Sequence, residues 1–335
     1  MGYSISVFSV ADGLYGTPLT RVVTTATVPA APVFVSVTGY ASMSSILTPT
    51  ARNGVIYYVT YGANPATLQR LDTINSSSGS VTLPGTIITP SVCLGDYVYV
   101  TSYANDGLRA YNYDLSGPVA SYKPTFLNLM CTTVSPRDGR LYCFWDDSVV
   151  KTATMSVLMP DLSVQSMHAI PAGVNPQSIR CGTNFDGSQV GFHYLSGSYS
   201  LYLISPKTNQ PSQMMSSSPG VEMLGGYSGS ILTVNSDNIG QEYYALETGQ
   251  GATMSMALPV GYTDFVLDHQ LNRWAFNTVG GQINVLVARS DGRTLRQYSF
   301  ASSSYRGACF DPVLKKVYVL YGDPTISVAA FDANL

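Results

Sequence analysis

The chain is poor in the side chains that enzymes use as general acids and bases. Histidine, the side chain that titrates nearest neutral pH, occurs at only three positions, His168, His193 and His269. The one close grouping of carboxylates with an imidazole is Asp264, Asp268 and His269, which we interpret as part of an apolar run and the exposed turn after it. No Gly-x-Ser-x-Gly nucleophile elbow accompanies it, and the glycine-rich stretch "LGGYSGS" lacks the Lys-Ser/Thr of a phosphate-binding loop. We therefore predict no catalytic residues and no cofactor, and we expect that the chain is not an enzyme.

The cysteines and loop carboxylates do not have the spacing of metal ligands. The cysteines are odd in number and include no Cys-x-x-Cys pair. Their positions are Cys93, Cys131, Cys143, Cys181 and Cys309. They fall in apolar runs, where a free cysteine packs as a small apolar residue, and one disulfide between neighbouring units is the alternative. No acidic loop has the Asp-x-Asp-x-Asp-Gly spacing of a calcium site, so we predict no metal site.

A recurring set of aromatic and amide residues is the strongest candidate for a binding site. Each member lies just after a run of β-branched and aromatic residues. The set is Tyr61, Tyr103, Trp145, Tyr194, Tyr321, Asn235 and Asn277. Aromatic rings stack on sugars and peptides, and amides hydrogen-bond to them without net charge. Two interpretations stay open: a face that binds a ligand or partner, or rings that cap the cores and present only their hydroxyl groups to water.

A repeat positions these residues. Successive units align at positions 41 to 49 residues apart, namely Tyr57, Tyr99, Tyr142, Gly191, Leu232, Trp274 and Tyr318. Each unit contains an apolar run, a turn, a β-branched and aromatic run, a second turn with another apolar run, and a more polar fourth run. Four strands in roughly 40–50 residues is the pattern of a β-propeller blade. We predict an all-β fold, a seven-bladed β-propeller, forming a single domain over residues 1–335.

The two ends of the chain are predicted to share one blade. The last unit supplies three strands at about residues 306–332 and then stops, whereas three strand-like runs at residues 3–10, 19–26 and 33–37 precede the first full unit. We expect residues 1–40 to close the ring with residues 306–335, which removes an open sheet edge. Counting back from the first unit favours residues 33–37 as the closing strand and leaves the first two runs as an extra hairpin. An incomplete eighth blade is the alternative.

Three segments resemble a known repeat family. "YVYVTSYANDGLRAYNYD" at 97–114, "IYYVTYG" at 56–62 and "VYVLYG" at 317–322 are similar to the YVTN-type β-propeller repeat, with Ser102 where that family has Asn. The other units match it in hydrophobic pattern. The resemblance implies a propeller over the whole chain. It also implies kinship with surface-layer and other extracellular proteins, and with propellers that include lactonases.

Composition narrows the class of function. Only 11% of residues are charged, and 17 basic against 20 acidic residues leave a net charge of −3, so nothing attracts nucleic acid. No apolar stretch is long enough for a membrane span, and no secretory signal is visible. So few charges give weak protection against association, which favours other protein subunits as partners and an extracellular surface or a particle as the location.

From these observations we predict a non-catalytic interaction or structural module within a surface layer, filament or virion-like assembly. Two alternatives stay open. One is a propeller that binds glycans or peptides on the aromatic face. The other is a lactonase-like, metal-dependent hydrolase.

Overall fold

Strand is the only regular secondary structure that the computed structural model describes. The described residues are 2–7, 10–11, 14–15, 19–24, 31–40, 49–60, 65–84, 91–102, 107–124, 127–147, 152–170, 179–183, 190–196, 198–205, 208–217, 221–225, 230–235, 241–245, 250–254, 264–270, 272–289, 293–302 and 304–335. For residues 2–24, 193–201 and 212–254 the description is of the backbone alone. A helix long and apolar enough to cross a membrane is not found in these ranges.

The strands, numbered in chain order, pair into four-stranded antiparallel sheets in which chain neighbours are also spatial neighbours. Sheet 1 contains β6 to β9, which are Thr50–Arg52, Val55–Thr60, Thr67–Asp72 and Ser77–Thr82. Sheet 2 contains β10 to β13, which are Ser91–Leu94, Val98–Ser102, Gly107–Tyr111 and Ala120–Tyr122. Sheet 3 contains β14 to β17, which are Leu127–Val134, Leu141–Asp147, Thr152–Leu158 and Val164–Ala169.

The same order continues along the chain. Sheet 4 contains β18 to β21, which are Arg180–Thr183, Val190–Ser196, Ser198–Ile204 and Pro211–Ser217. Sheet 5 contains β22 to β25, which are Val221–Gly225, Ser230–Asn235, Gln241–Ala245 and Gln250–Met254. Sheet 6 contains β26 to β29, which are Asp264–Leu267, Arg273–Val279, Gln282–Ala288 and Thr294–Ala301.

Sheet 7 combines the two ends of the chain. Its strands β30, β31, β32 and β5 are Tyr305–Asp311, Lys316–Tyr321, Thr325–Asp332 and Val33–Tyr40. Strand β5 pairs antiparallel with β32, so that Val35 lies opposite Val328. Residues before β5 form two small antiparallel two-stranded sheets: β1 (Gly2–Val7) pairs with β4 (Leu19–Thr24), and between them in the chain β2 (Val10–Ala11) pairs with β3 (Leu14–Tyr15). The strand that includes residues 33–37 therefore lies beside the C-terminal strand.

Neighbouring sheets stack face to face through buried side chains. Buried clusters lie between sheets 7 and 1, 1 and 2, 2 and 3, 3 and 4, and 6 and 7. In β7, Tyr57 packs in the cluster shared with sheet 2, whereas Ile56 and Tyr58 pack in the cluster shared with sheet 7. Because both faces of the strand are covered, its apolar residues are consecutive and do not alternate with polar ones. The first strands of sheets 4 and 5, β18 and β22, also lie beside each other.

The cysteines occupy the positions expected of core residues. Cys93, Cys131, Cys143 and Cys309 are buried, Cys181 is half-buried, and all five are free thiols. Burial raises the pKa of the Cys143 thiol to about 12. The prediction that the cysteines pack in the core is confirmed.

Candidate functional site

Five of the seven predicted binding residues lie in the second strands of their sheets. Those with described side chains are Trp145, Asn277 and Tyr321. Those in strands whose backbone alone is described are Tyr194 and Asn235. Those outside the described residues are Tyr61 and Tyr103. The structure therefore describes the side chain at three of the seven predicted positions.

Trp145 is a core residue. Its side chain is 0% exposed, and its indole Nε1 donates a hydrogen bond to Ser156 Oγ at 2.6 Å. Its ring meets Tyr122 of sheet 2 edge-on, with ring centroids 5.7 Å apart. Because sheets cover both faces of β15, a large aromatic side chain at this position faces the neighbouring sheet and not solvent. The ring of Trp145 is not presented to a ligand.

Asn277 and Tyr321 are also held inside the fold. Asn277 is buried, and its Oδ1 accepts a hydrogen bond from Asn284 Nδ2 at 2.9 Å. Tyr321 is half-buried against Phe300 of sheet 6, edge-on with centroids 5.3 Å apart. Burial raises the pKa of Tyr321, and a hydrogen bond with Ser327 opposes the rise. At these positions the structure favours the capping interpretation over a ligand-binding face.

The shared property of these positions is a link from the second strand to the third. Trp145 bonds to Ser156 of β16, and Asn277 bonds to Asn284 of β28. In sheet 1 the register equivalent is Thr60, whose Oγ1 lies 2.7 Å from Oγ1 of its cross-strand partner in β8, Thr67. Polar pairs across adjacent strands stabilise a sheet, so this position joins the second and third strands of sheets 1, 3 and 6 near their loop end.

The predicted set mixed two registers. Trp145, Asn277 and Tyr321 each lie three residues after the repeat position of their unit, but Tyr61 and Tyr103 lie four residues after theirs. By this count Thr60 and Ser102 are the equivalents of Trp145 in their units. The signal that separates the two groups is the number of residues from the repeat position.

The carboxylate–imidazole grouping is divided by strand β26. Asp264 begins the strand, and its Oδ2 accepts a hydrogen bond from the Tyr305 hydroxyl at 2.6 Å. Asp268 and His269 follow the other end of the strand. His269 stacks on Phe310 with centroids 5.8 Å apart, and burial lowers the pKa of its imidazole. The three residues do not form a catalytic cluster.

Asp268 is not part of an exposed turn, which corrects the sequence interpretation. It is fully buried, and its carboxylate accepts hydrogen bonds from the backbone N–H groups of Gln270 and Asn272. It also accepts from Asn272 Nδ2 at 3.0 Å and from the Trp274 indole at 2.9 Å. A buried carboxylate is tolerated when donors surround it, so Asp268 shapes the turn between the first two strands of sheet 6.

A comparable carboxylate joins sheet 7 to sheet 1. Asp311 is fully buried, and its Oδ2 accepts the Gly54 N–H at 2.6 Å while Oδ1 accepts the N–H groups of Val313 and Leu314. Gly54 follows Asn53 in a turn where both residues have positive φ, 80° and 53°. Asn-Gly favours that conformation because neither residue resists the left-handed region strongly. Asp311 therefore anchors a hairpin turn of the adjacent sheet.

Three of the four repeat tyrosines form links that the sequence did not reveal. Each of the three lies in a second strand and bonds to the turn between the third and fourth strands of the next sheet. The bonds join Tyr57 Oη to the Tyr113 carbonyl at 2.6 Å, Tyr99 Oη to the Pro160 carbonyl at 2.9 Å, and Tyr318 Oη to Thr73 Oγ1 at 3.3 Å. We call these bonds the inter-sheet tethers. Burial raises the pKa of Tyr57 and of Tyr318 to about 12, so both are protonated at neutral pH and Tyr57 is available as a donor.

The described residues do not bring metal ligands together. Within the described ranges, no group of three or more His, Cys, Asp or Glu residues could hold a metal ion. Asp323, a loop carboxylate after β31, forms an ion pair with the buried Arg306 at 2.8 Å. Asp323 is therefore paired within the chain.

Comparisons with known proteins identify the fold. No model of a known protein family matches the sequence, and no curated protein sequence matches it. The β-propeller domain of Cps50 (Swd1) from Myceliophteria thermophila is similar in structure, with a TM-score of 0.60 and 9% identity over 87% of this chain and 98% of that chain. A chain of the mitotic checkpoint complex is similar with a TM-score of 0.62 and 9% identity over 92% of this chain and 96% of that one. At this identity the likeness concerns fold alone: the chain has an all-β, propeller-like fold built from four-stranded antiparallel blades.

Proposed function

We propose that this chain is a non-catalytic, seven-bladed β-propeller that serves as an interaction or structural module of a larger assembly. Each of sheets 1 to 7 would be one blade, with sheet 7 as the composite blade of the two chain ends. The sheets follow one another from sheet 6 through sheets 7 and 1 to sheet 5. Contact between sheets 5 and 6 would close the ring and leave no open face.

One observation carries the non-catalytic part of the proposal. Among the described residues, two fully buried carboxylates and a buried phenol are engaged in holding strands and turns. Asp268 and Asp311 accept backbone N–H groups while fully buried, and Tyr57 donates to a backbone carbonyl of the next sheet. A catalytic group needs contact with substrate, and these groups face the interior of the fold.

Composition and surface support the interaction part. Only 11% of residues are charged, and large apolar side chains are exposed in two outer strands, at Val33 and Phe34 of β5 and at Val164 and Met167 of β17. Exposed apolar residues on a surface with few charges favour contact with other proteins. One structural neighbour is itself a chain of a complex, the mitotic checkpoint complex. We propose that this assembly is an extracellular surface layer, a filament or a virion-like particle.

The test is the mass of the particle that contains the chain. The particle would be extracted gently from its native source and measured by size-exclusion chromatography with light scattering. We expect a mass far above 35.9 kDa with fixed stoichiometry, and we expect the particle to survive raised salt because apolar contacts are not screened. A particle with the mass of one chain, or one that dissociates in salt, would overturn the proposal.

Binding of a glycan or peptide is a second candidate, favoured by a polar row on sheet 6. Asn277, Asn284 and Ser299 are hydrogen-bonded in series across three strands, and Gln282 joins the row through Ser299. Ser299 and Gln282 are exposed, so the outer end of the row offers donors and acceptors to a polar ligand. Binding to a glycan array that is lost in Ser299→Ala, with unchanged thermal stability, would support this candidate. Equal binding by the variant would show that Ser299 does not contact the ligand and would contradict this candidate.

A further inference from the structure

Two cysteines from neighbouring sheets lie against each other. Cys131 lies in β14 and Cys181 in β18, the first strands of sheets 3 and 4. Cys131 belongs to the buried cluster between these sheets, and Cys181 packs against that cluster. The two strands are also joined by a hydrogen bond, which the Thr183 hydroxyl of β18 donates to the Val134 carbonyl of β14 at 3.3 Å. The fold therefore holds the two cysteines on facing surfaces.

The register of the strands supports this arrangement. Cys131 pairs with Phe144 of β15, and Cys181 pairs with Phe192 of β19. Directly paired residues share a face of their sheet. The rings of Phe144 and Phe192 meet between the two sheets with centroids 4.9 Å apart, so the cysteines lie on the faces that are in contact. The two thiols are themselves hydrogen-bonded to each other.

The other three cysteines are less accessible than this pair. Cys93 and Cys143 pack in the cluster between sheets 2 and 3, and Cys309 packs in the cluster between sheets 7 and 1. All three are buried, whereas Cys181 is half-buried. Oxidation of a thiol follows its exposure as well as its thiolate character. Oxidation should therefore begin at Cys181.

The surroundings of the pair make its oxidation slow at neutral pH. Burial raises the pKa of the Cys181 thiol well above its usual value, and the hydrogen bond with Cys131 adds to the rise. The thiolate is the form that attacks a disulfide, and little of it is present below the pKa. The rate of oxidation should therefore increase as the pH is raised.

We propose that Cys131 and Cys181 close into a disulfide that joins sheet 3 to sheet 4, with a low-molecular-weight disulfide as the oxidant. The Cys181 thiolate attacks one sulfur of the oxidant, forms a mixed disulfide and releases one thiolate. The Cys131 thiolate then attacks the Cys181 sulfur, forms the new bond and releases the second thiolate. The cysteines lose two protons and two electrons, and the oxidant becomes two thiols.

The bond would stabilise the contact between the two sheets. It closes a loop of about 50 residues, which should raise the melting temperature by about 5 °C in a chain of this length. Disulfides persist in oxidising settings such as an extracellular surface. The inference does not depend on the proposed function, because the bond lies within one chain.

The test treats the reduced, full-length chain with hydroxyethyl disulfide at mildly alkaline pH and without denaturant. The remaining thiols are then alkylated in urea and counted by mass spectrometry. We expect the number of alkylated cysteines to fall from five to three, and a non-reduced digest to contain peptides linked through Cys131 and Cys181. Thermal unfolding compares the oxidised chain with the reduced chain.

Two variants show which thiols are needed. Cys181→Ala should form no disulfide within the chain. Cys93→Ala is the matched control: Cys93 is buried between sheets 2 and 3, so its replacement should leave the link between Cys131 and Cys181 unchanged. Thermal unfolding checks that both variants stay folded.

Three results would overturn the inference. The first is a native wild-type chain that keeps all five thiols or stops at a mixed disulfide. The second is a digest in which Cys131 or Cys181 is linked to another cysteine, or a folded Cys93→Ala chain that forms no link. The third is an oxidised chain that melts no higher than the reduced chain, because the native separation of the two strands would then not accommodate the bond.

Discussion

Removal of one hydroxyl group tests the inter-sheet tethers. Tyr57→Phe keeps the buried ring and deletes the group that donates to the Tyr113 carbonyl at 2.6 Å. The ring should stay in place, because it packs edge-on against Tyr113 with centroids 6.0 Å apart. The Tyr113 carbonyl then loses its donor in a half-buried position. The change therefore removes the hydroxyl group, with its bond to the Tyr113 carbonyl and its interaction with Arg70, and leaves the packing of the ring in place.

The expected loss of stability follows from the hydrogen bond and its burial. A buried hydrogen bond whose partner is left unsatisfied costs about 1–2 kcal/mol when it is removed. Unfolding entropy of about 2 cal/mol/K per residue makes this a shift of about 2 °C in a chain of 335 residues. Tyr99→Phe should cost less and Tyr318→Phe least, because their bonds are longer, at 2.9 Å and 3.3 Å.

The dependence of stability on alkaline pH provides a second test of the Tyr57 hydroxyl group. Burial raises the pKa of Tyr57 from 10.0 to about 12, so the folded state favours the protonated phenol. The stability from this group is complete below pH 10, the pKa of the unfolded chain, and it is lost as pH rises from 10 towards 12. The urea midpoint of Tyr57→Phe should therefore fall less steeply over that interval than the midpoint of the wild type.

Urea unfolding followed by fluorescence measures both effects. Tyr97→Phe is the control, because the Tyr97 ring packs on Tyr99 and its hydroxyl has no hydrogen-bond partner among the described residues. It should shift the midpoint little at neutral pH. If Tyr57→Phe were as stable as Tyr97→Phe, with the same dependence on alkaline pH, the tethers would not hold the sheets together and the reasoning would be wrong.

Three further changes probe the core and the turns. Trp145→Ala should lower the free energy of unfolding by about 3–5 kcal/mol in urea titrations, because it leaves a cavity beside Tyr122, and a loss below about 0.5 kcal/mol would indicate an exposed ring. Asp311→Asn should cost about 3 kcal/mol by the same assay, since it removes the charge that accepts three backbone N–H groups, and an unchanged midpoint would contradict that role. Burial raises the pKa of Cys143 to about 12 and holds the pKa values of Cys93 and Cys309 well above the usual range. Ellman's reagent at neutral pH should therefore label none of these three thiols until urea is added. Rapid labelling of the native protein would refute their burial.

The sequence predicted the strands well because the repeat acts through local pattern. Each unit shows its strands as apolar runs between turns, and Asn53-Gly54 marks a hairpin directly. The pairing of β5 with β32 was predictable by counting, because the last unit supplies three strands and a sheet of this kind needs four.

The exposure of the candidate binding residues could not be predicted in the same way, because it depends on neighbours distant in the chain. Trp145 has the type of side chain that stacks on ligands, but it is buried because it packs against Tyr122 of another sheet. Asp268 looks like a loop acid, and the donors that surround it come from the turn geometry. The inter-sheet tethers could not be predicted for the same reason, because the acceptor of Tyr57 lies 56 residues away in the chain.

The most direct test of the account is a reconstruction, by electron cryo-microscopy, of the native particle that contains the chain. The account predicts seven four-stranded blades in a closed ring, with sheet 5 against sheet 6 and with neighbouring subunits in contact with the ring. An open arc of sheets, another number of blades, or a chain that contacts no other subunit would contradict it.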